Sequence, residues 1–474
     1  MKSQHLIQLI DSLHKEEKRY VSARLPEGTA YTQLYRQIDA GNASQAHGIH
    51  AQNLERELLT LLRNYHRRHN LARQLEEREE HVAMLFQRGL FEAAVKLNED
   101  TLAQAQALDL LELECKLLRW QVRLGNALLP KEKALRLAER NETDQHRNRL
   151  HTFVLQELIL LDQQLYNYLK HWGPLLLPGQ QLPDAAKLLD TLQFEQLGPT
   201  AQLFFLRCTG MRQQLEGALA LALDTFSTLC DMLAQPDHFM LQVQPFFVVQ
   251  AWHLQFGAAF WLQDFDESLA ILHKTKGYLL AQKFPDYQHI KMLLIVLDNE
   301  LNIHYLRQNL EACRPLVEEM ERLLHTYNAY IDKDLAPVLY YNIARHAFLV
   351  GNFPKANLWI NDLYQGHLKF LRPDIFASVL LTRILLCVEL NNYDLIEYQV
   401  RSLLHSLQKF KPKDSVEHAI VACIRLLIRR KGRLKPADLA NIQSQLQQAA
   451  EAHNEKILLN YFDYMGWFAK HLQA

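Results

Sequence analysis

The chain has 474 residues and sets 52 Lys+Arg against 53 Asp+Glu, so its formal net charge of −1 gives no global attraction to nucleic acid or anionic membrane. Gly fills only 16 positions, about half of an average ~7% share, which excludes a fold needing turns every ~8–12 residues throughout. A hydrophobic fraction of 49% with 22% charged residues excludes a largely disordered chain, and the length suits about three domains or one long repeat array.

In chain order, the N-terminal segment predicts short helices near 3–13, 15–24 and 30–39. A polar, Gly-containing link (Ala40 to Gly48) and a long helix near 51–68 follow, with Leu58, Leu61, Leu62 and Tyr65 as its apolar stripe. His5, Gln8 and Asp11 interrupt the first apolar residues, so no signal-peptide core is read there. Residues 1–70 are assigned to an N-terminal helical cap. Its helix count also suits a winged-helix-like module, although no wing strands are evident. Residues 71–474 follow as a helical-repeat array, irregular at about 110–200, with capping helices over 412–474. Within the irregular part, Leu135–Arg140 and Leu155–Leu169 read either as degenerate repeats or as an insert.

Phe239 to Gln263 holds no Asp, Glu, Lys or Arg and is long enough to span a bilayer. It also carries Gln242, Gln244, Pro245, Gln250, His253 and Gln255, whose polar groups are costly in hydrocarbon, so a buried helix pair is expected. Phe246, Phe247, Trp252, Phe256, Phe260, Trp261 and Phe265 are dense there. They read as core packing between helix layers or as an interface. Further on, Leu293, Leu294, Leu297, Leu301 and Tyr305 mark a long amphipathic helix.

The breaks between stripes are short: Arg88-Gly89, Gln263-Asp264, Gln308-Asn309, Gly351-Asn352 and Asn391-Asn392. Short loops between long amphipathic helices make antiparallel pairs. Each break leads into the same pattern. Gly351-Asn352-Phe353 is followed by Ala356 and Ile360, and Asn391-Asn392-Tyr393 by Ile396 and Val400. Gln308-Asn309-Leu310 is followed by Cys313 and Val317, and Gln263-Asp264-Phe265 by Ser268 and Leu272. Upstream, Gly217, Leu219, Ala222 and Phe226 fit, as do Gly89, Phe91 and Ala94. Gly or Asn permits the tight turn, and the aromatic packs back over the first helix. The small residue lets the two helices approach closely. The recurrence, every ~40–46 residues, is that of a helical hairpin.

This pattern resembles the tetratricopeptide repeat (TPR), whose second half reads G-x-Y-x-x-A. Around Gly351 the first half is present too, in Tyr340, Ile343, Ala344 and Ala347, while Trp252 holds the Trp position before Phe265 and Phe256 replaces the small residue. The resemblance covers about 70–410 and implies an all-α fold: a right-handed superhelix of antiparallel helix pairs, a TPR-like α-solenoid with an N-terminal helical cap. At the N-terminus, Ser12-Leu13-His14-Lys15-Glu16-Glu17-Lys18-Arg19-Tyr20, then Leu34-Tyr35, Ile38-Asp39, and Leu58, Leu61, Leu62, Arg63, Tyr65 and His66 resemble a second group. It comprises functionally uncharacterised helical-repeat proteins common in Bacteroidota, which begin with an S-L-x-x-x-E-K-R-[YF] element. That resemblance implies no activity.

Candidate chemistry is sparse. The six cysteines, Cys115, Cys208, Cys230, Cys313, Cys387 and Cys423, form no CxxC, and their apolar settings read as buried free thiols in a reducing, cytoplasmic setting. His47/His50 and His66/His69 are i, i+3 pairs with no third ligand at motif spacing, so no metal or other cofactor is assigned. No phosphate loop or nucleophile elbow occurs, and no nucleophile, base and oxyanion donor are supplied together, so no enzyme is read. Glu76, Glu77, Glu79 and Glu80 alternate with arginines as surface charge. Two basic patches, Arg63, Arg67, Arg68 and Arg73 and, later, Arg425, Arg429, Arg430, Lys431, Arg433 and Lys435, suit phosphate contact or simply solvated helix faces.

The TPR resemblance implies that first helices line a groove. Carried over from the turns, its candidate residues are Gln250 and His253, then Asp298, Asn299 and Asn302, then Tyr341, Asn342 and Arg345. Amides pair with peptide groups and Arg forks a carboxylate, but the family's clamp lysines are missing. The expected function is a non-catalytic protein- or peptide-binding scaffold. The alternative is a nucleic-acid-linked regulator touching phosphate through the basic patches. Tyr461, Phe462, Tyr464, Trp467 and Phe468 suggest either a C-terminal helix folded onto the preceding pair or a homodimer contact.

Overall fold

The computed structural model describes residues 2–41, 49–68, 70–172, 182–235, 238–282, 286–327, 331–333, 335–366, 373–408, 415–430, 432–452 and 462–472. His47, His69, Lys431 and Tyr461 lie outside the described residues. The chain divides into two compact units, Met1–Leu262 and Gln263–Ala474. The described residues are helical apart from turns, with one isolated parallel bridge between Leu434 and Leu472.

The first unit begins with α1 (Lys2–Asp11), α2 (Lys15–Ser22), α3 (Ala30–Asp39) and α4 (Ile49–Arg67). They close around Leu6, Ile10, Val21, Tyr35, Ile38, Leu54 and Leu58. The S-L-x-x-x-E-K-R-Y element builds this bundle. Leu13 is buried, and the buried Glu17 carboxylate accepts the His14 amide at 2.8 Å and meets the His66 ring of α4 at 2.7 Å. Lys18 bonds Asp39 of α3 at 2.6 Å, and Tyr20 packs edge-on to Tyr65. Glu17, Lys18 and Tyr20 thus tie α2 to α3 and α4.

Hairpins follow in series: α5 (Leu71–Gln87) with α6 (Phe91–Ala107), α7 (Leu111–Leu128) with α8 (Lys131–Trp172), and α9 (Pro199–Leu215) with α10 (Leu219–Leu233). The pieces at 135–140 and 155–169 are one continuous α8 of 42 residues. A helix of that length spans about 63 Å. Its C-terminal half buries Leu158, Leu161 and Leu165 against α9. No Gly or Pro falls between Lys131 and Trp172, so nothing breaks the helix across its polar middle. Short 3-10 turns at Asp184–Asp190 and Phe194–Gln196 lead into α9. The uncharged stretch is split into α11 (Phe239–Val243) and α12 (Phe246–Trp261) at Gln244-Pro245. Among the described residues no helix is long and apolar enough to cross a membrane. Phe247, Trp252 and Phe256 are buried in the unit.

The second unit contains α13 (Phe265–Leu280), α14 (Tyr287–Leu306), α15 (Leu310–Tyr327), α16 (Ala336–Leu349), α17 (Phe353–Gly366), α18 (Pro373–Glu389), α19 (Tyr393–Leu407), α20 (Val416–Arg429), α21 (Pro436–Ala452) and a short α22 (Tyr464–Ala469). Sequence neighbours pack: α14 on α15, α16 on α17, α18 on α19, α20 on α21.

The breaks that the sequence marks are left-handed residues: Gly89 (φ 73°), Gly217 (84°), Gln263 (62°), Gln308 (57°), Gly351 (78°) and Asn391 (56°). Such a residue ends a helix by turning the next amide back onto it, as Asn309 does to the His304 carbonyl at 2.9 Å and Asn352 to Ala347 at 2.8 Å. The small or apolar position past each turn is buried, in Ala94, Ala222, Ser268, Cys313, Ala356 and Ile396. Phe91 and Phe353 pack back on Phe86 and Phe348 of the first helices, both at 5.3 Å, whereas Tyr393 stays 42% exposed. A left-handed conformation costs a residue with a Cβ about 1–2 kcal/mol. Gln308→Gly therefore stabilises the second unit by about 0.5–1 kcal/mol, the flexible unfolded glycine offsetting part of the relief. The check is a higher urea midpoint at unchanged slope; a lower midpoint would show that the Gln308 turn stores no strain.

Candidate binding face on the first helices

The repeat places equivalent side chains one hairpin apart, and several bond across that interval. In the first unit, Arg207 of α9 forms an ion pair with Asp162 of α8: Nη2 donates to Oδ2 at 3.1 Å and Nε lies 2.9 Å from Oδ1, while Nη1 donates to Gln250 of α12 at 2.9 Å. The residues of these pairs are 45 and 43 positions apart. The guanidinium sits 4.8 Å from the Phe247 ring centroid, so one face of the cation is aromatic. Burial raises the Asp162 pKa, and Arg207 opposes that rise. Gln250 is thus an acceptor within this network.

His253, one turn along α12, is half-buried and stacks on Phe256; desolvation lowers its pKa to about 4. The unfolded chain therefore binds a proton on His253 between pH ~6.5 and ~4 while the folded chain does not. This group's contribution is intact above pH ~6.5 and is lost as pH falls toward ~4. His253→Phe should flatten the acid side of the first unit's stability profile. Hydrogen exchange in 246–261 at pH 7 and pH 5 reads this, and an unchanged slope in the variant would assign the acid sensitivity elsewhere.

In the second unit, Asn342 of α16 donates to Asp298 of α14 at 2.6 Å, 44 positions away. Asn302 donates back to the Asp298 carbonyl at 2.9 Å, and Arg345 donates to Asn302 Oδ1 at 3.3 Å. Arg345 also lies 4.3 Å from the Tyr305 ring centroid. Burial raises the Asp298 pKa to about 7, with the Asn342 bond and the Arg345 charge pulling the other way. Asn342 and Arg345 are only 5% and 3% exposed, so they face α14 and not open solvent. Asn299, Asn302 and Tyr341 are half-buried and keep part of their surface accessible. The structure thus joins Asp298, Asn302, Asn342 and Arg345 into one network.

The basic patches are partly offset by acids. Arg425 bonds Glu397 at 2.9 Å, and Arg430 bonds Asp438 at 3.1 Å. Arg429 and Arg433 are exposed, as are Arg63 and Arg68, while Arg67 is half-buried. Arg68 also lies 5.7 Å from the Tyr20 ring centroid. Among the described residues no group of three or more His, Cys, Asp or Glu is placed to hold a metal.

One feature escapes the sequence reading. Leu150, Phe153 and Leu160 of α8 are 54%, 61% and 52% exposed. Beside them, a cavity of about 310 Å³ is lined by Leu150, His151, Val154, Leu192, Gln193 and Leu197. Their spacing along a helix looks like core periodicity, so no local signal separates them from the buried Leu158 and Leu161. The C-terminal aromatics, which the sequence reads as a helix folded onto the preceding pair or a homodimer contact, lie within the core of their own unit: Phe462, Tyr464, Trp467 and Phe468 are 8%, 8%, 3% and 0% exposed.

No protein-family model, no curated protein and no solved structure matches this chain.

Proposed function

We propose that this chain is a non-catalytic, cytoplasmic protein- or peptide-binding scaffold in which the hairpins of each unit stack as a right-handed, TPR-like superhelix. The observation that carries this reading is the recurrence itself. Left-handed turns return at Gly217, Gln263, Gln308, Gly351 and Asn391, and first-helix side chains bond partners 43–44 positions away. Stacked repeats present equivalent positions side by side, which is the geometry that grips an extended partner. The buried cysteines fit a reducing compartment. In this reading Asn299, Asn302 and Tyr341 touch the partner, while Asp298, Asn342 and Arg345 hold the two helices that carry them.

A photo-crosslinking residue placed at Asn299 or Tyr341 should capture one protein from lysate, while the same residue at the exposed Glu318 of α15 should not. Equal capture from Glu318 would remove the first-helix face from consideration. Capture of nucleic acid instead, lost steeply as salt rises, would favour a phosphate-binding regulator working through Arg63, Arg429 and Arg433.

A further inference from the structure

We infer that a second copy of this chain docks on the exposed face of α8, the two α8 helices running antiparallel about a two-fold axis. This holds whether or not the chain is a scaffold.

The spacing of the exposed side chains carries the argument. Leu150, Phe153 and Leu160 are exposed. Singly, such side chains are ordinary surface. Here they belong to a seam: His146, Leu150, Phe153, Glu157, Leu160 and Gln164 follow at alternating intervals of four and three residues, and all are exposed or half-buried. At about 100° per residue they fall within ~80° of the helix circumference, which is the seam of a coiled coil. Leu158, Leu161 and Leu165, whose cluster includes α9 side chains, lie about a quarter-turn away, so the seam stays open.

The seam is also close to a palindrome. The Leu150 and Phe153 pair is flanked four residues out by a base on one side, His146, and by an acid on the other, Glu157. Laid antiparallel on itself, with the axis between His151 and Thr152, the seam sets Leu150 against the partner's Phe153 and His146 against the partner's Glu157. The two-fold axis repeats each contact. An imidazole N–H donates to a carboxylate whether the ring is neutral or charged. Beside the seam, the exposed Arg149 falls opposite the partner's Gln156, and the exposed Glu142 opposite the partner's Gln163, so no like charges meet. Parallel pairing would set acid on acid and base on base. Sliding the antiparallel pair by one heptad would set each Glu157 carboxylate on a phenyl ring, unpaired. The charges thus select a second copy in one orientation and one register. The contact is a single helix pair, so the dimer is reversible and depends on concentration.

The test uses the full chain. Sedimentation velocity over a concentration series should show a reversible monomer–dimer equilibrium. Phe153→Asp should raise the dimer Kd at least about tenfold. His146→Glu, which meets the partner's Glu157 with a second acid, should do the same. The double variant His146→Glu/Glu157→His exchanges the two charges and should recover the affinity to within about threefold of wild type. Circular dichroism checks that each variant keeps the wild-type helix content; should Phe153→Asp lose it, the His146 and Glu157 variants decide alone. A chain that stays monomeric at every concentration overturns the inference. A dimer indifferent to Phe153→Asp also overturns it, because another face then holds the copies together. So does a double variant as weak as His146→Glu, because the two positions then never meet.

Discussion

Gly210→Leu is expected to cost the first unit about 3 kcal/mol, because it forces side-chain volume into a filled site. Gly210 lies on α9, and a Cβ added there would stand 2.5 Å from Cε1 and 2.7 Å from Cζ of Phe226 on α10. Phe226 is fully buried, so its ring has no open direction of retreat. The close approach of α9 and α10 therefore depends on the missing side chain. Phe226→Ala tests the same contact from the other side and should cost about 3–5 kcal/mol through the cavity it leaves. The double variant should lose less than the sum, since the leucine fills part of that cavity. Gly277 of α13 supplies the control: a Cβ there meets nothing within 4 Å, so Gly277→Ala should stabilise its helix by about 0.5–1 kcal/mol. Urea unfolding of the three single variants decides this. A Gly210→Leu chain as stable as wild type would mean that the two helices separate freely.

Asp298→Asn should remove a loss of stability that the wild-type second unit suffers as pH rises from about 5 to 8. The folded-state pKa of Asp298 is raised to about 7 from 3.8. Between those values the folded chain holds a proton that the unfolded chain has released, so stability falls with rising pH and the loss is complete above about 7. Asparagine keeps an oxygen to accept the Asn342 amide and carries no charge to desolvate. Arg345→Met should have the opposite effect. It leaves Asp298 without its nearby cation and steepens the decline, with a loss of about 3–5 kcal/mol at pH 8 if the acid is ionised there. Urea midpoints at pH 5, 6.5 and 8, read by exchange in unit-two peptides, give the result. A slope in Asp298→Asn equal to wild type would assign the alkaline sensitivity to another group. His253 gives the first unit a slope of the opposite sign, so the two units are expected to weaken at opposite ends of the neutral range.

The turns were the most legible part of the fold. Gly and Asn before an aromatic, with a small residue three on, mark a local conformation that few other residues tolerate; even Gln263 and Gln308 are exposed by their position in the series. The N-terminal helices were legible for the same reason, since caps and stripes are local. What the sequence hid is set by distance. Asp162 and Arg207 are ordinary helix residues until α8 and α9 are packed together. Gly210 looks like a weak helix position, and only the ring of Phe226 gives it a purpose. The polar candidates on the first helices were found by register, but register does not say whether an amide faces a partner or another helix. Asn342 and Arg345 face another helix. The C-terminal rings, spread around their helix, showed only that something must cover them.

The thiols carry a last consequence. Cys115, Cys208 and Cys230 lie in the first unit and Cys313, Cys387 and Cys423 in the second, every one buried. Burial raises the pKa of Cys208, Cys313, Cys387 and Cys423, so the closed thiols stay protonated and unreactive, and only opening to water returns them to the ordinary thiol range. The chain thus carries two sets of internal clocks: the pace at which an alkylating reagent marks each set records how often that half of the molecule opens, without any label having been introduced.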